Sequence, residues 1–232
     1  MNKKVIIEKD NEIAYEYLVN NFAGSGIKFK LKKSYSFIFF DIDLGDSQLE
    51  SFLNHTAKAI ILWGKYNAII SAFTGVELGY ANVACLAALL YFDIEGELEQ
   101  VLKVIGGKDT ISVEGTLNFK LDDLRDSWEE LKSIGEVLVY NESEQDIYNV
   151  TNFLMSNRSG DKSLFLAQYP DILLANVSDG VMVENIKLYK NDDFNLINTI
   201  VAECPTELII EKNQIKNPLY DCLSNIIKIR ML

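Results

Sequence analysis

A chain of 232 residues that is 48% hydrophobic and 24% charged falls among globular sequences and outside disordered ones, and at that length it needs neither a disulfide nor a metal to be stable. Thirty-four acids against 22 Lys and Arg leave a net charge of −12, a field that repels phosphate backbones and anionic membrane surfaces, so no nucleic acid partner is expected. Cys85, Cys204 and Cys222 lie too far apart for a zinc knuckle and are odd in number for a disulfide framework, which fits a reducing, cytoplasmic setting.

Met1 to Asp10 holds too few apolar residues for the core of a signal peptide. Val5 to Glu8 is a β-branched run, and behind Asp10 or Asn11 as cap the spacing of Ile13, Tyr17, Leu18 and Phe22 predicts a helix that Gly24 closes. Ile27 to Leu31 alternates apolar and basic residues at period two, and Tyr35 to Ile42 is a second β-rich run. Ser47 with Glu50 forms a capping box ahead of a long helix through Leu49, Phe52, Leu53, Ala57, Ile60 and Ile61, and Lys65 to Phe73 either extends it or begins the next.

Ala81 to Phe92 is an uncharged run of twelve residues, short of the roughly twenty that a spanning helix needs. It predicts a buried helix, followed by an acidic helix over Glu95 to Val104 that Gly106-Gly107 ends. From Ser112 to Leu131, the residues Leu117, Leu121, Leu124, Trp128 and Leu131 fall on one helical stripe, placed where two folding units meet, with a restart or bend at the Ser127/Glu130 pair. A helix over Ser143 to Met155 follows, then strands at Leu164 to Ala167 and Asp171 to Val177, and a hairpin signal at Asp179-Gly180 leading into Val181 to Ile186. Asp192 caps a helix that ends before Pro205, Leu208 to Ile210 is a core strand, and Asn217-Pro218 opens the last helix.

These elements make an α+β fold, with a small amino-terminal βαββ layer, a helical middle and a carboxy-terminal ββαβα layer. Two regions are expected, residues 1–105 and 106–232, which also fit one continuous domain. Charge is uneven along them. Asp93 to Asp146 holds fifteen acids and five bases, a solvated acidic face, whereas residues 1–45 hold seven bases and six acids.

Glu114-Gly115 with Asn118-Phe119-Lys120-Leu121, an acidic-aromatic helix around Glu144 to Leu154, and Asp193 to Ile200 leading to Cys204-Pro205 and Leu208-Ile209-Ile210 together resemble the YtxC-like sporulation protein family of spore-forming Firmicutes. The likeness covers about residues 110–230 and rests on order and spacing. It implies a process, sporulation, rather than a reaction, and it marks Glu114 and Lys120 as a candidate pair. Where the family has arginine in a Phe-Arg-Leu, this chain has Lys120, which lacks the planar two-pronged donor of a guanidinium. Six residues apart, Glu114 and Lys120 do not share a helix face, so the expected partner of each lies elsewhere, with Lys120 in a partly buried ion pair.

Other chemistry is thin. His55 is the sole histidine and reads as structural, and Gly24-Ser25-Gly26 is a turn without the lysine of a phosphate loop. Asp41 and Asp43 flank Ile42 on one side of a strand end, and with Asp46 they make a weak acidic cluster whose spacing suits a hard cation. No cofactor or metal is implied, and no catalytic residue. The leading expectation is therefore a cytosolic protein that acts in sporulation through contacts with an unidentified protein partner. The alternatives are a small-molecule-binding regulatory module using a cleft between layers, and an enzyme with a carboxylate- or metal-based site, which needs at least two of Asp41, Asp43, Asp46, Glu114 and Asp193 to converge in a pocket.

Overall fold

The computed structural model describes residues 1–45, 47–158, 162–167, 172–178, 181–186, 188, 192–211 and 217–232. The fold is α+β, with strands towards both termini and helices between them. The chain divides into two compact units, each discontinuous: residues 1–72 with 93–132, and residues 73–92 with 133–232. Residues 106–132, set with the carboxy-terminal region on sequence grounds, thus belong to the first unit.

The first unit opens with β1 (Asn2–Glu8), α1 (Glu12–Gly24), β2 (Lys28–Lys33) and β3 (Phe37–Asp43). Asn11, not Asp10, caps α1, its side chain accepting from the Ala14 N–H at 2.9 Å. β3 pairs antiparallel with β1 on one side and β2 on the other, so β1 and β2 run parallel with a strand between them, a split βαβ. A strand absent from the sequence reading, β4 (Thr110–Ser112), adds parallel to β1 and completes the order β2-β3-β1-β4. At three residues it is too short for any periodicity to reveal.

α2 (Leu49–Ile69) starts two residues after Ser47 without a side-chain cap and passes into a 3₁₀ turn over Ile70–Phe73. One face of the sheet sends Val5, Ile7, Ile38, Phe40 and Ile42 into the core against Leu18 and Phe22 of α1 and Phe52, Ile60 and Ile61 of α2. Phe22 stands at its centre, stacked on Phe52 at 5.8 Å and edge-on to Phe40 at 6.1 Å, arrangements that add to the area buried. α4 (Ile94–Ile105) supplies Val101 and Ile105 to the same core.

The stripe from Leu117 to Trp128 is buried as its spacing requires, but on two helices. α5 (Val113–Lys120) and α6 (Asp122–Asn141) break at Leu121, whose backbone leaves the helical region. The restart therefore falls before Asp122, not at Ser127, whose hydroxyl donates back to the Asp123 carbonyl within the helix. Gly64 of α2 lets the Trp128 ring approach so closely that a Cβ there would lie 2.1 Å from it.

The second unit has α3 (Tyr80–Tyr91), the end of α6, α7 (Glu144–Ser156), α8 (Asp193–Glu203) and α9 (Asn217–Ile226). Its sheet has the order β7-β6-β5-β8-β9, from β5 (Ser163–Ala167), β6 (Leu173–Ser178), β7 (Val181–Ile186), β8 (Glu207–Ile210) and β9 (Ile229–Met231). β7 falls where the hairpin signal leads, at Val181–Ile186, and pairs antiparallel with β6, while β9, absent from the sequence pattern, follows the last helix and lies parallel to β8, so the order becomes βββαβαβ. The Asp179-Gly180 turn itself lies outside the described residues. α3 is buried on most sides, with Ala81, Ala84, Cys85 and the Leu86–Leu90 run all inside, as its uniform apolarity predicts.

Candidate functional site

Asp41 and Asp43 stand on the same side of β3, as their spacing requires. Asp41 lies 2.5 Å from Lys32 and 3.6 Å from Lys4, and the hydrogen bond and charge of Lys32 hold its carboxyl below the usual carboxylate range. Asp43 faces the amino terminus at 3.8 Å. Both carboxylates thus have a cation of the protein within 4 Å, and Asp46 lies outside the described residues. No group of three or more His, Cys, Asp or Glu that could hold a metal ion occurs among the described residues.

Glu114 is buried at the start of α5, which Ser112 caps by accepting from the Gly115 N–H. The Asn11 amide donates to its Oε1 at 2.5 Å, while Oε2 has no hydrogen bond within 3.5 Å among the described residues. Burial pushes the Glu114 carboxyl above its ordinary value, against the opposing pull of the Asn11 hydrogen bond. Glu114 therefore ties α5 to the turn before α1. Lys120 is exposed at the end of α5 and makes no ion pair among the described residues, so it does not form the expected partly buried pair. A last-turn lysine has a simpler role against the helix dipole.

The histidine and the serine turn, treated apart in the sequence, come together: Ser25 Oγ lies 2.8 Å from His55 Nε2. Nothing in either local pattern announces this contact between α1 and α2. Among the described residues the pair lacks what a nucleophile needs, because His55 Nδ1 is buried with no orienting partner there, and the Ser25 and Gly26 N–H groups are consumed by Asn21 and Ala23 carbonyls. Burial and the nearby Lys58 charge lower the imidazole's basicity, and Tyr17 and Phe22 pack edgewise on it. It acts as a strut between α1 and α2.

Two surface features remain. In the second unit, Tyr80, Glu144, Tyr148, Pro218 and Asp221 are among the residues lining a cleft of about 590 Å³. Its hydroxyls are already committed, Tyr80 donating to Asp193 at 2.7 Å and Tyr148 to Glu144 at 3.2 Å. In the first unit, the face of the sheet away from the core carries Lys28, Lys30 and Lys32 of β2, Phe37 and Phe39 of β3, and Lys4 and Ile6 of β1. Phe37 is 39% exposed and its ring lies 6.4 Å from that of Phe39, while Tyr35, in the turn between β2 and β3, is 95% exposed.

The sheet face thus carries an apolar strip flanked by charged side chains. No helix among the described residues is long and apolar enough to cross a membrane. No protein-family model, curated protein or solved structure matches the chain.

Proposed function

We propose that this protein works through protein–protein contacts without catalysing a reaction, as a divergent member of the YtxC-like family acting in sporulation in the cytosol of a spore-forming Firmicute. The resemblance over residues 110–230 supplies the process. The observation that carries the contact reading is the outer face of the first sheet, where Phe37 stands exposed and Phe39 half-buried beside Lys28, Lys30 and Lys32, with Tyr35 exposed in the adjoining turn. Exposed rings and a basic rim on a rigid sheet favour a macromolecular partner. A protein fits better than a nucleic acid. Glu8, Asp41 and Asp43 on β1 and β3 interrupt the basic residues of this face, so its unbroken basic stretch is one short strand, Lys28, Lys30 and Lys32, in a chain whose net charge of −12 repels an extended phosphate backbone.

The test is affinity capture with mild crosslinking of the chromosomally tagged protein from vegetative and sporulating cells, read by mass spectrometry. One reproducible protein partner confined to sporulation is the expected result. Capture of nothing in either state would refute the contact reading, and a partner held equally in both states would remove the link to sporulation.

A further inference from the structure

Sheet edges carry unpaired N–H and C=O groups, and proteins guard them with charge, brevity or cover. In the first sheet one edge is the three-residue β4 and the other is β2, a six-residue strand reading Lys-Phe-Lys-Leu-Lys-Lys. The pairing fixes which groups of β2 point outward. Ser34 N–H donates to the Phe37 carbonyl at 2.8 Å, and the register pairs Lys32 with Phe39, Lys30 with Asp41 and Lys28 with Asp43. Alternation along an antiparallel ladder then turns the N–H and C=O of Lys28, Lys30 and Lys32 towards β3 and those of Phe29, Leu31 and Lys33 away from it.

The side chains of this edge are also unfinished. Lys32 reaches Asp41, but Lys28 and Lys30 have no ion pair among the described residues, in a chain where acids outnumber bases by twelve. On the opposite side of the strand Leu31, beside the fully buried Phe40, is still 38% exposed, so the core ends there in an open apolar rim. A second copy cannot close this edge in register, because β2 against β2 sets lysine against lysine.

Resting on the contact reading above, we propose that β2 is a docking edge for an extended segment of a partner protein whose acidic and apolar residues alternate. Such a segment adds as a fifth strand. Its backbone satisfies the outward groups of Phe29, Leu31 and Lys33, its carboxylates lie across from Lys28, Lys30 and Lys32, and its apolar residues cover Phe29 and Leu31. Charge selects the occupant and main-chain bonding supplies the geometry.

The test uses a fluorescein-labelled, end-blocked peptide of sequence Glu-Val-Glu-Val-Glu-Val titrated with the full chain, beside Lys-Val-Lys-Val-Lys-Val and a ten-nucleotide oligothymidine. Expected are saturable binding of the acidic peptide that weakens with salt, and a loss of at least tenfold in Lys28→Glu/Lys30→Glu. Leu31→Pro should lose as much, since it removes an outward donor without touching the β2–β3 bonds. Circular dichroism would establish that both variants fold. Failure of the acidic peptide to bind, equal binding to wild type and variants, or preference for either control probe would each overturn the proposal. The contact reading is judged apart: a cellular partner that Lys28→Glu/Lys30→Glu still captures keeps that reading and removes β2 as its site. Peptide binding with no cellular partner does the reverse.

Discussion

In the first unit a lysine and a glutamate lie together beneath Trp128, whereas the second unit fills its interior with thiols, hydroxyls and apolar side chains. Of the buried polar or charged residues among those described, Lys3, Asn11, Thr56, Lys65, Glu97, Glu114 and Thr116 are in the first unit and Thr151 alone is in the second. Lys65 is fully buried and reaches Glu97 at 2.9 Å, and the Trp128 indole N–H donates to the same carboxylate oxygen at 2.8 Å. Burial pushes the Glu97 carboxyl up, with Lys65 pulling the other way. A network of this kind fixes how α2, α4 and α6 register against one another, but each member becomes costly to remove alone.

The sharpest way to test that contrast is to remove one charge. Lys65→Met strands the Glu97 carboxylate in the core and is expected to lower stability by about 3–5 kcal/mol in urea unfolding. Lys65→Met/Glu97→Gln should recover much of this, because the amide oxygen still accepts from Trp128 without a charge to bury. In the second unit the counterpart, Thr151→Val, removes a hydroxyl bonded to the Ile147 carbonyl and should cost only about 1 kcal/mol. Equal losses for Lys65→Met and Thr151→Val would erase the distinction between the two interiors.

Next in size is Gly64→Ala. The added methyl meets the Trp128 ring at 2.1 Å and Leu117 at 2.8 Å, so α2 and α6 must separate, at a cost of about 1–3 kcal/mol. A double-mutant cycle with Trp128→Phe should show coupling, since the smaller ring relieves the clash. Additive effects would mean that α2 carries the methyl without moving against Trp128.

Helices and longer strands were readable in the sequence because their periodicity is dictated by the faces they bury. α1, α7 and α8 follow the spacing of their apolar residues and α3 its uniform apolarity, and the caps at Ser143 and Asp192 fall where the residue types require. β4 and β9, at three residues each, carry no usable period, and both enter their sheets through pairing with distant strands. The break at Leu121 was hidden because the stripe continues in phase across it. The sites fared worse, for a physical reason: Lys65 meets Glu97, Asn11 meets Glu114 and Ser25 meets His55 across long stretches of chain, and local spacing holds no record of such meetings. A lysine within the apolar Ile60 to Ile70 segment was the one local hint of a buried cation.

Glu114 tests the contrast through pH. Its carboxyl is raised in the folded state by burial, so the folded chain binds that proton more tightly than the unfolded one. The stability it contributes is complete below the ordinary glutamate value and is lost as pH rises through the raised value. Glu114→Gln removes this titration while keeping an oxygen for Asn11. The difference in unfolding free energy between wild type and variant should therefore shift in favour of the variant as pH rises across that window. A difference that stays flat with pH would show that Glu114 is as free to ionise in the folded protein as in the unfolded one.

The smallest expected effect lies in the second unit, where the interior carries thiols in place of charges. Burial pushes Cys85 and Cys222 each up to about 11, and Cys204 is raised for the same reason. At pH 8 a thiol with that value is ionised to about one part in a thousand, and only the thiolate reacts. Native protein should thus label negligibly with a disulfide reagent over minutes, and Cys85, Cys204 and Cys222 should all label at once in denaturant. Cys222 is the informative one. It sits against Tyr148, a wall residue of the 590 Å³ cleft, so selective labelling of Cys222 in the native state would mean that the cleft opens down to the core of the second unit. Protection of Cys222 equal to that of Cys85 would instead make the Tyr148 ring a closed floor, and would leave the rim of the first sheet as the more accessible of the two surfaces.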